Sequence, residues 1–306
     1  QAAAGLLGGA SSARWWIGGL GVLTTAWALA GSRMWRVLQK IGVVLLLALS
    51  VVMTVVALRA YGWRPLLAQS PPRTMPPMLG LDLVIAMPIS WMPLVADYTR
   101  HAAVPGRGLR GTWWGYFLVS SWMFAVGLMA TLATGSAAPE SMLLQLLGGH
   151  GLLAPAVAIV LLSTLTTTFL DIYSNALSAQ SLFPRLGTRR LVLLGGLAGT
   201  LLALFFDATK YETFLLLIGS AFCPLFGVVL TDYFILRRAH YEVADLYQRG
   251  RYWYRGGVNP RALLAWAVGF AIYQVCARSG FVGGASLPAL GAAALLYGGL
   301  AREQKG

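Results

Sequence analysis

The amino-acid sequence predicts an all-α membrane protein of about nine full transmembrane helices, and three observations carry that prediction. The chain has 306 residues, 58% hydrophobic and 11% charged, against about 25% charged residues in soluble domains. Apolar runs long enough to cross about 30 Å of hydrocarbon as a helix follow one another along nearly its whole length. The basic residues behind its net charge of +13 lie in the short connections between those runs, where they act as topology signals. A closed barrel would show short alternating segments instead.

In chain order the sequence reads as a helix remnant at 1–10 (QAAAGLLGGA), then spans at about 15–32, 36–60, 78–99, 112–135, 151–182, 190–207, 211–236, 261–278 and 281–301. Cytoplasmic loops should hold the excess of Lys and Arg. Loops on one side hold Arg14, Arg59, Arg64, Arg73, Lys210 and Arg278, six residues, and the other side holds seventeen of the 23. That asymmetry supports nine full spans in the cell inner membrane, with a cytoplasmic C-terminus and Gln1 near the outer face. Because the chain opens inside an apolar run without a polar leader, residues 1–306 are expected to be the later part of a larger single membrane domain.

Loop 61–77 holds Pro65, Pro71, Pro72, Pro76 and Pro77, so it reads as an ordered outer connection and not as helix. The longest polar stretch, 237–260, reads as a solvated cytoplasmic loop. Cys223 and Cys276 fall in apolar runs without ligand-like spacing, which supports neither a disulfide framework nor a metal centre. Arginines gathered at helix ends speak for topology and against a nucleic-acid partner. The sequence lacks a Gly-rich phosphate loop, an HExxH motif and a Ser/His/Asp set, and His101, His150 and His240 fall in loops, so no enzyme site or cofactor is indicated. Nothing in it specifies an oligomeric state.

An ionisable residue inside a bilayer is expensive, so the few present become functional candidates. The first constellation is GLDLVIAMPISWMPLVADYTR, residues 80–100, where Pro88 and Pro93 bracket Ser90 and Trp91. Each proline removes a backbone donor and crowds the preceding turn, which predicts a kinked or broken helix near 88–92. Trp91 offers a flat face for stacking on a planar ring, or an ordinary packed indole, and Ser90 offers hydrogen bonds. Asp97 and Arg100 have the spacing of a capping pair at the inner helix end. Asp82 lies near the outer end, as an interfacial or a gating group.

The second constellation is STLTTTFLDIYSNALSAQ, residues 163–180. Helical spacing puts Ser163, Thr167, Ser174 and Ser178 along one side, with Thr164, Asp171 and Asn175 beside them. Ser163, Thr166 and Thr167 form the kind of hard oxygen cluster that suits Na⁺. Interhelical hydrogen bonding is the alternative use of such hydroxyls. Asp171 needs a stronger reason, because a carboxylate at mid-membrane costs a few kcal/mol; it can hold a proton or accept a substrate N–H. The third constellation, FLLLIGSAFCPLFGVVLTDYFILRR at 214–238, carries Gly219, Pro224 and Gly227 inside and Asp232 beside Arg237 and Arg238. Pro224 could serve gating, the glycines could serve close helix packing, and Asp232 reads as an interfacial ion-pair member. Polar groups placed inside membrane helices in this way point to a small-molecule transporter.

The stretches PISWMPLVADYTR, TTTFLDIYSNALSAQSLFPRL and FLLLIGSAFCPLFGVVLTDYFILRR followed by GGVNPRALLAW resemble the nucleobase:cation symporter-1 family of purine, pyrimidine, hydantoin and vitamin-precursor permeases. Within it, TTTFLDIYSNA looks most like the hydroxymethylpyrimidine permeases associated with thiamine salvage. The resemblance implies a leucine-transporter-like bundle in which two inverted five-helix repeats surround a central site. It further implies that this chain lacks helices 1–3, with 1–60 the remainder of the first repeat, 78–236 the second repeat and 261–301 the last two helices. Ser90 and Trp91 would then contact and stack on a heterocyclic substrate, and Asp171 and Ile172 would lie at a substrate-contacting position. Ser163, Thr166 and Thr167 would match sodium-ligand positions, and Pro88, Pro93 and Pro224 would serve as kinks or gates. The implied function is uptake of a planar pyrimidine-type compound coupled to Na⁺ or H⁺, with cytosine, purines or allantoin-like ureides as the alternative substrates and a non-transporting sensor or subunit as the rival class.

Overall fold

The structure, a computed structural model, describes residues 13–30, 32–68, 75–99, 102–136, 138–206, 210–247, 250 and 252–302. The regular elements among them are helices: α1 Ala13–Ala30, α2 Ser32–Tyr61, α3 Trp63–Ala68, α4 Pro77–Thr99, α5 Pro105–Thr134, α6 Pro139–Leu147, α7 Leu153–Leu182, α8 Thr188–Phe205, α9 Tyr211–Leu230, α10 Val243–Tyr247, α11 Pro260–Ser279 and α12 Ser286–Arg302. Nine of them, all but α3, α6 and α10, fall on the nine expected spans. Seven helices are long and apolar enough to cross a membrane, and α12 is a shorter apolar helix. Among the described residues the helix count by length and hydropathy is therefore seven, below the expected nine. Trp15 is 83% exposed and Phe205 87%, an apolar exterior that suits hydrocarbon as the solvent. The remnant at 1–10 lies outside the described residues.

Local chemistry moves several boundaries. Val104 is extended and Pro105 opens α5, so the helix begins before the expected 112; proline there gives up only an N–H that would be unpaired anyway. The 61–77 connection is partly helical, contrary to expectation, because Pro65 sits in the first turn of α3 after the left-handed Gly62. α4 runs unbroken through Pro88 and Pro93, so of the kink or break expected at 88–92 the break is absent. Each proline deletes a single donor while the flanking bonds persist, and the Ser90 hydroxyl donates to the Met87 carbonyl at 2.6 Å within the same turn. α9 passes through Pro224 and widens into a π-helical turn at Thr231–Leu236. His150 ends a short 3₁₀ turn and is not in a loop.

The chain divides into two compact units. In the first, α1–α3 pack with α5–α8. One core joins Leu49 and Ala57 of α2 to Ala130 and Ala133 of α5, Leu146 of α6 and Ala156 of α7. Another joins Ala28 of α1 to Phe169, Leu170 and Ile172 of α7 and to Leu191 and Val192 of α8. The Trp122 indole donates to the Ser50 hydroxyl at 3.0 Å, tying α5 to α2.

The second unit gathers α4 through residue 96 with α9 and the helices after it. Small residues set its spacing: a Cβ at Gly227 would lie 2.3 Å from the Leu290 carbonyl oxygen, and one at Gly269 would lie 2.5 Å from Pro224 Cβ. Of the two uses open to this glycine-bearing helix, close packing is the one the structure displays. Asp82 is 4% exposed, not interfacial. Its carboxylate accepts the N–H of Ala285 and of Ser286, each at 2.8 Å, at the start of α12, where unpaired donors and the helix dipole favour an anion.

Candidate functional site

A cavity of about 330 Å³ opens between α1, α7 and α8 in the first unit. From α7 it takes Thr164, Thr168, Asp171 and Asn175, positions that recur along one helix face. α1 contributes Thr24 beside Gly21, and α8 contributes Thr200 beside Gly195, Gly196 and Gly199. The hydroxyls of Thr24, Thr164 and Thr200 each donate to a carbonyl of their own helix, Leu20, Val160 and Gly196, at 2.7, 2.8 and 2.7 Å. With their protons so used, these oxygens offer lone pairs, and an ionised carboxylate at Asp171 is acceptor-only. The lining is mostly apolar, with a small polar face at Asp171, Asn175 and the threonines that can accept from a ligand's N–H groups, while the Asn175 amide can both donate and accept.

The expected substrate residues Asp171 and Ile172 both line this cavity, Ile172 as a buried residue. Ser163, Thr166 and Thr167 are not among its lining. The hydroxyls of Thr166 and Thr167 instead converge on the Ser163 carbonyl at 2.8 and 3.0 Å. One helical turn therefore holds a cluster of hard oxygen atoms, the donor type a hard cation takes. Thr166 is 5% exposed and Ser174 is fully buried, so the polar stripe of the sequence is split between a cavity face and a packed face. Ser90 and Trp91 are half-buried on α4, in the second unit. Pro88 is half-buried and Pro93 exposed, whereas Pro224 is fully buried where Gly269 approaches it.

Sequence reasoning passed over Thr24, Thr168 and Thr200. For Thr200 a usable signal was present in the repeated G-x-x-x-T of Gly21 to Thr25 and Gly196 to Thr200, a spacing that puts a small residue and a hydroxyl on one face; no comparable signal marked Thr24 or Thr168. It also underestimated the 237–260 stretch, which is anchored and not merely solvated. The Asp232 carboxylate accepts the Tyr297 hydroxyl at 2.8 Å and the Tyr241 hydroxyl, and Arg237 Nε lies 3.7 Å away. Arg237 also sits over the Tyr252 ring, 4.9 Å from its centroid. Burial pushes the Tyr241 hydroxyl above the ordinary tyrosine range, and its hydrogen bond to Asp232 adds to the shift. Burial is the largest single influence on Arg237 and works to lower it, but the Asp232 charge together with the neighbouring Tyr254, Tyr252 and Tyr297 holds the guanidinium above its usual value. One Asp97 oxygen is buried without a hydrogen-bond partner, and Arg100, its expected partner, lies outside the described residues.

Residues 14–297 match the family described as permease for cytosine/purines, uracil, thiamine, allantoin. The chain belongs to that permease family. It is 32% identical over 152 residues to a hydantoin permease of Microbacterium maritypicum, covering 48% of this chain and 31% of the relative. It is 27% identical over 193 residues to the cytosine permease of Escherichia coli K12, covering 63% and 43%. An allantoin permease of Bacillus subtilis is 45% identical over 67 residues, covering 22% and 14%. The matched segments thus span less than half the length of these relatives. Among solved structures, the inward-facing conformation of Mhp1 superposes with a TM-score of 0.75 at 21% identity, covering 93% of this permease-family chain and 64% of Mhp1. A closed conformation of Mhp1, a nucleobase-cation-symport-1 family transporter with bromovinylhydantoin bound, gives 0.68 at 23%, covering 92% and 65%. The leucine-transporter-like fold expected from the sequence is the fold these superpositions support.

Proposed function

We propose that the protein is a secondary active transporter that takes up a planar heterocycle presenting N–H groups, on the ring or on an exocyclic amine, coupled to Na⁺ or H⁺. The observation that carries this reading is the mostly apolar cavity with a carboxylate, Asp171, in its lining, in a family of permeases. A carboxylate inside a membrane helix needs a functional reason, and an N–H donor on a cyclic amide or aminopyrimidine supplies one. Trp91 provides a stacking face and Ser90 a polar contact, while the oxygens of Ser163, Thr166 and Thr167 serve the coupling cation. Alternating access around a midplane site is the matching mode of transport.

The relatives named for hydantoin, cytosine and allantoin favour a ring carrying adjacent N–H and C=O groups. The α7 motif keeps hydroxymethylpyrimidine, which presents its N–H groups on an exocyclic amine and carries no ring C=O, as a separate candidate. Uptake of labelled substrate by cells expressing the complete gene, competed with hydroxymethylpyrimidine, cytosine, hydantoin and allantoin, separates these. Accumulation should depend on an imposed Na⁺ or proton gradient and fall sharply in Trp91→Ala. Binding without flux in proteoliposomes would instead make the protein a sensor or a subunit.

A further inference from the structure

Four helices of the second unit contribute to one buried polar group: Asp82 of α4, Cys223 of α9, Tyr273 of α11 and Ser286 of α12, exposed by 4, 0, 1 and 1%. Cys223 and Tyr273 share an apolar core with Ile89, Ala285 and Ala289. Ser286 joins the group together. Its backbone N–H donates to Asp82 Oδ1 at 2.8 Å, and its side chain neighbours both the Tyr273 hydroxyl and the Cys223 thiol. Neither the Ser286 nor the Tyr273 hydroxyl has a hydrogen-bond partner among the described residues.

Two unpaired hydroxyls thus belong to a group whose carboxylate has lone pairs to spare. Each Asp82 oxygen accepts one backbone N–H, from Ala285 or from Ser286, and an ionised carboxylate offers about four acceptor sites. Buried polar groups in folded proteins are nearly always paired. Glycine borders the group on two sides: a Cβ at Gly219 would lie 2.8 Å from the Tyr273 hydroxyl, and one at Gly284 would lie 3.1 Å from Asp82 Oδ1. Side chains that would crowd these oxygens are therefore kept away.

The protons decide what completes the group. A cation would take lone pairs but leave both O–H protons unpaired, and it would sit against the positive end of α12. A water molecule accepts from one hydroxyl and donates to the other and to Asp82, which makes the about three bonds of a typical buried water. We infer that the α4/α9/α11/α12 junction is a binding site for an ordered water that bridges Tyr273 and Ser286 to Asp82. The site lies in a different unit from the α1/α7/α8 cavity and does not depend on what that cavity transports.

The test uses the protein from the complete gene, in detergent. In X-ray hydroxyl-radical labelling of the unaltered protein, radicals form at bound water, so Tyr273 should be modified despite its burial. Phe169, as buried at 3% but in an apolar core, should be spared. Tyr273→Phe should lower the melting temperature, because it removes a bond to the water; an unpaired hydroxyl would instead make that change neutral or stabilising. Ser286→Ala should lower it as well, and the two together should cost less than the sum of the singles, since both act through one water. Any rise in melting temperature with Na⁺ over choline should be the same in Tyr273→Phe as in the unaltered protein. Tyr273 labelled no more than Phe169, a neutral or stabilising Tyr273→Phe, strictly additive losses, or a Na⁺ effect that disappears in Tyr273→Phe would each overturn the inference, the last in favour of a cation.

Discussion

Thr200 of α8 covers Gly21 of α1 so closely that a Cβ at position 21 would lie 2.2 Å from the threonine Oγ1 and 3.0 Å from its Cβ. The contact is reciprocal, because Thr25 of α1 covers Gly196 of α8 with a corresponding 2.1 Å. Each hydroxyl returns its proton to the glycine four residues earlier on its own helix, Thr25 to Gly21 and Thr200 to Gly196, both at 2.7 Å. Two antiparallel helices are thus locked through matching G-x-x-x-T faces.

Gly21→Ala and Gly196→Ala should each destabilise the protein. Alanine gains about 1 kcal/mol of helix propensity over glycine, but overpacking costs about 1–3 kcal/mol, and a stiff β-branched threonine cannot swing away. Melting temperature in detergent should fall in both variants. Adding Thr200→Ala to Gly21→Ala should recover part of the loss, and a double variant no better than the single one would refute the contact as its cause.

Asp82→Asn should loosen the start of α12. The amide retains one acceptor oxygen and turns an NH₂ toward the other backbone N–H, leaving a buried donor unpaired at about 1–3 kcal/mol. Hydrogen exchange at Ala285 and Ser286 should accelerate while exchange in the middle of α7 stays unchanged.

High pH should act on the segment after α9 through Tyr241. Its folded-state hydroxyl is held above the ordinary range, chiefly by burial and then by Asp232. A group whose folded pKa is raised contributes its stability below the unfolded value, about 10 for tyrosine, and loses it as pH climbs toward the folded one. Stability should therefore decline above about pH 10, and Tyr241→Phe should remove that part of the decline. In a tyrosinate absorbance titration, the same variant should remove a late-titrating tyrosine.

Asp171→Asn should reduce substrate uptake at least tenfold, since a hydrogen bond to a charged acceptor contributes about 1.5–3 kcal/mol and each 1.4 kcal/mol is about tenfold. Folding should be unaffected, because Asp171 lines a cavity and lies outside the packed core. Unchanged uptake at normal expression would take the α1/α7/α8 cavity out of the transport path.

Much of this molecule is legible in one dimension. Long apolar runs with basic connections place the helices to within a few residues, since a bilayer demands continuous helical hydrogen bonding over a set length. The exceptions are local: Pro105 opens α5 early, and α4 survives two prolines because each removes only one donor.

By itself the sequence determined that the chain is helical, that its solvent is lipid, and that Asp171, Trp91 and the α7 hydroxyls are the residues in need of a reason. Those conclusions follow from composition and from the cost of polar groups in hydrocarbon, neither of which depends on what packs against what. Only the tertiary structure decided that Asp171 shares a cavity with Thr24 and Thr200 while Thr166 and Ser174 are packed away. It alone placed Asp82 on the N-terminus of a helix far along the chain, where its partner Ser286 lies 204 residues later. Helical period names the residues that share a face, but which neighbouring helix meets that face is a long-range packing choice that no local pattern contains.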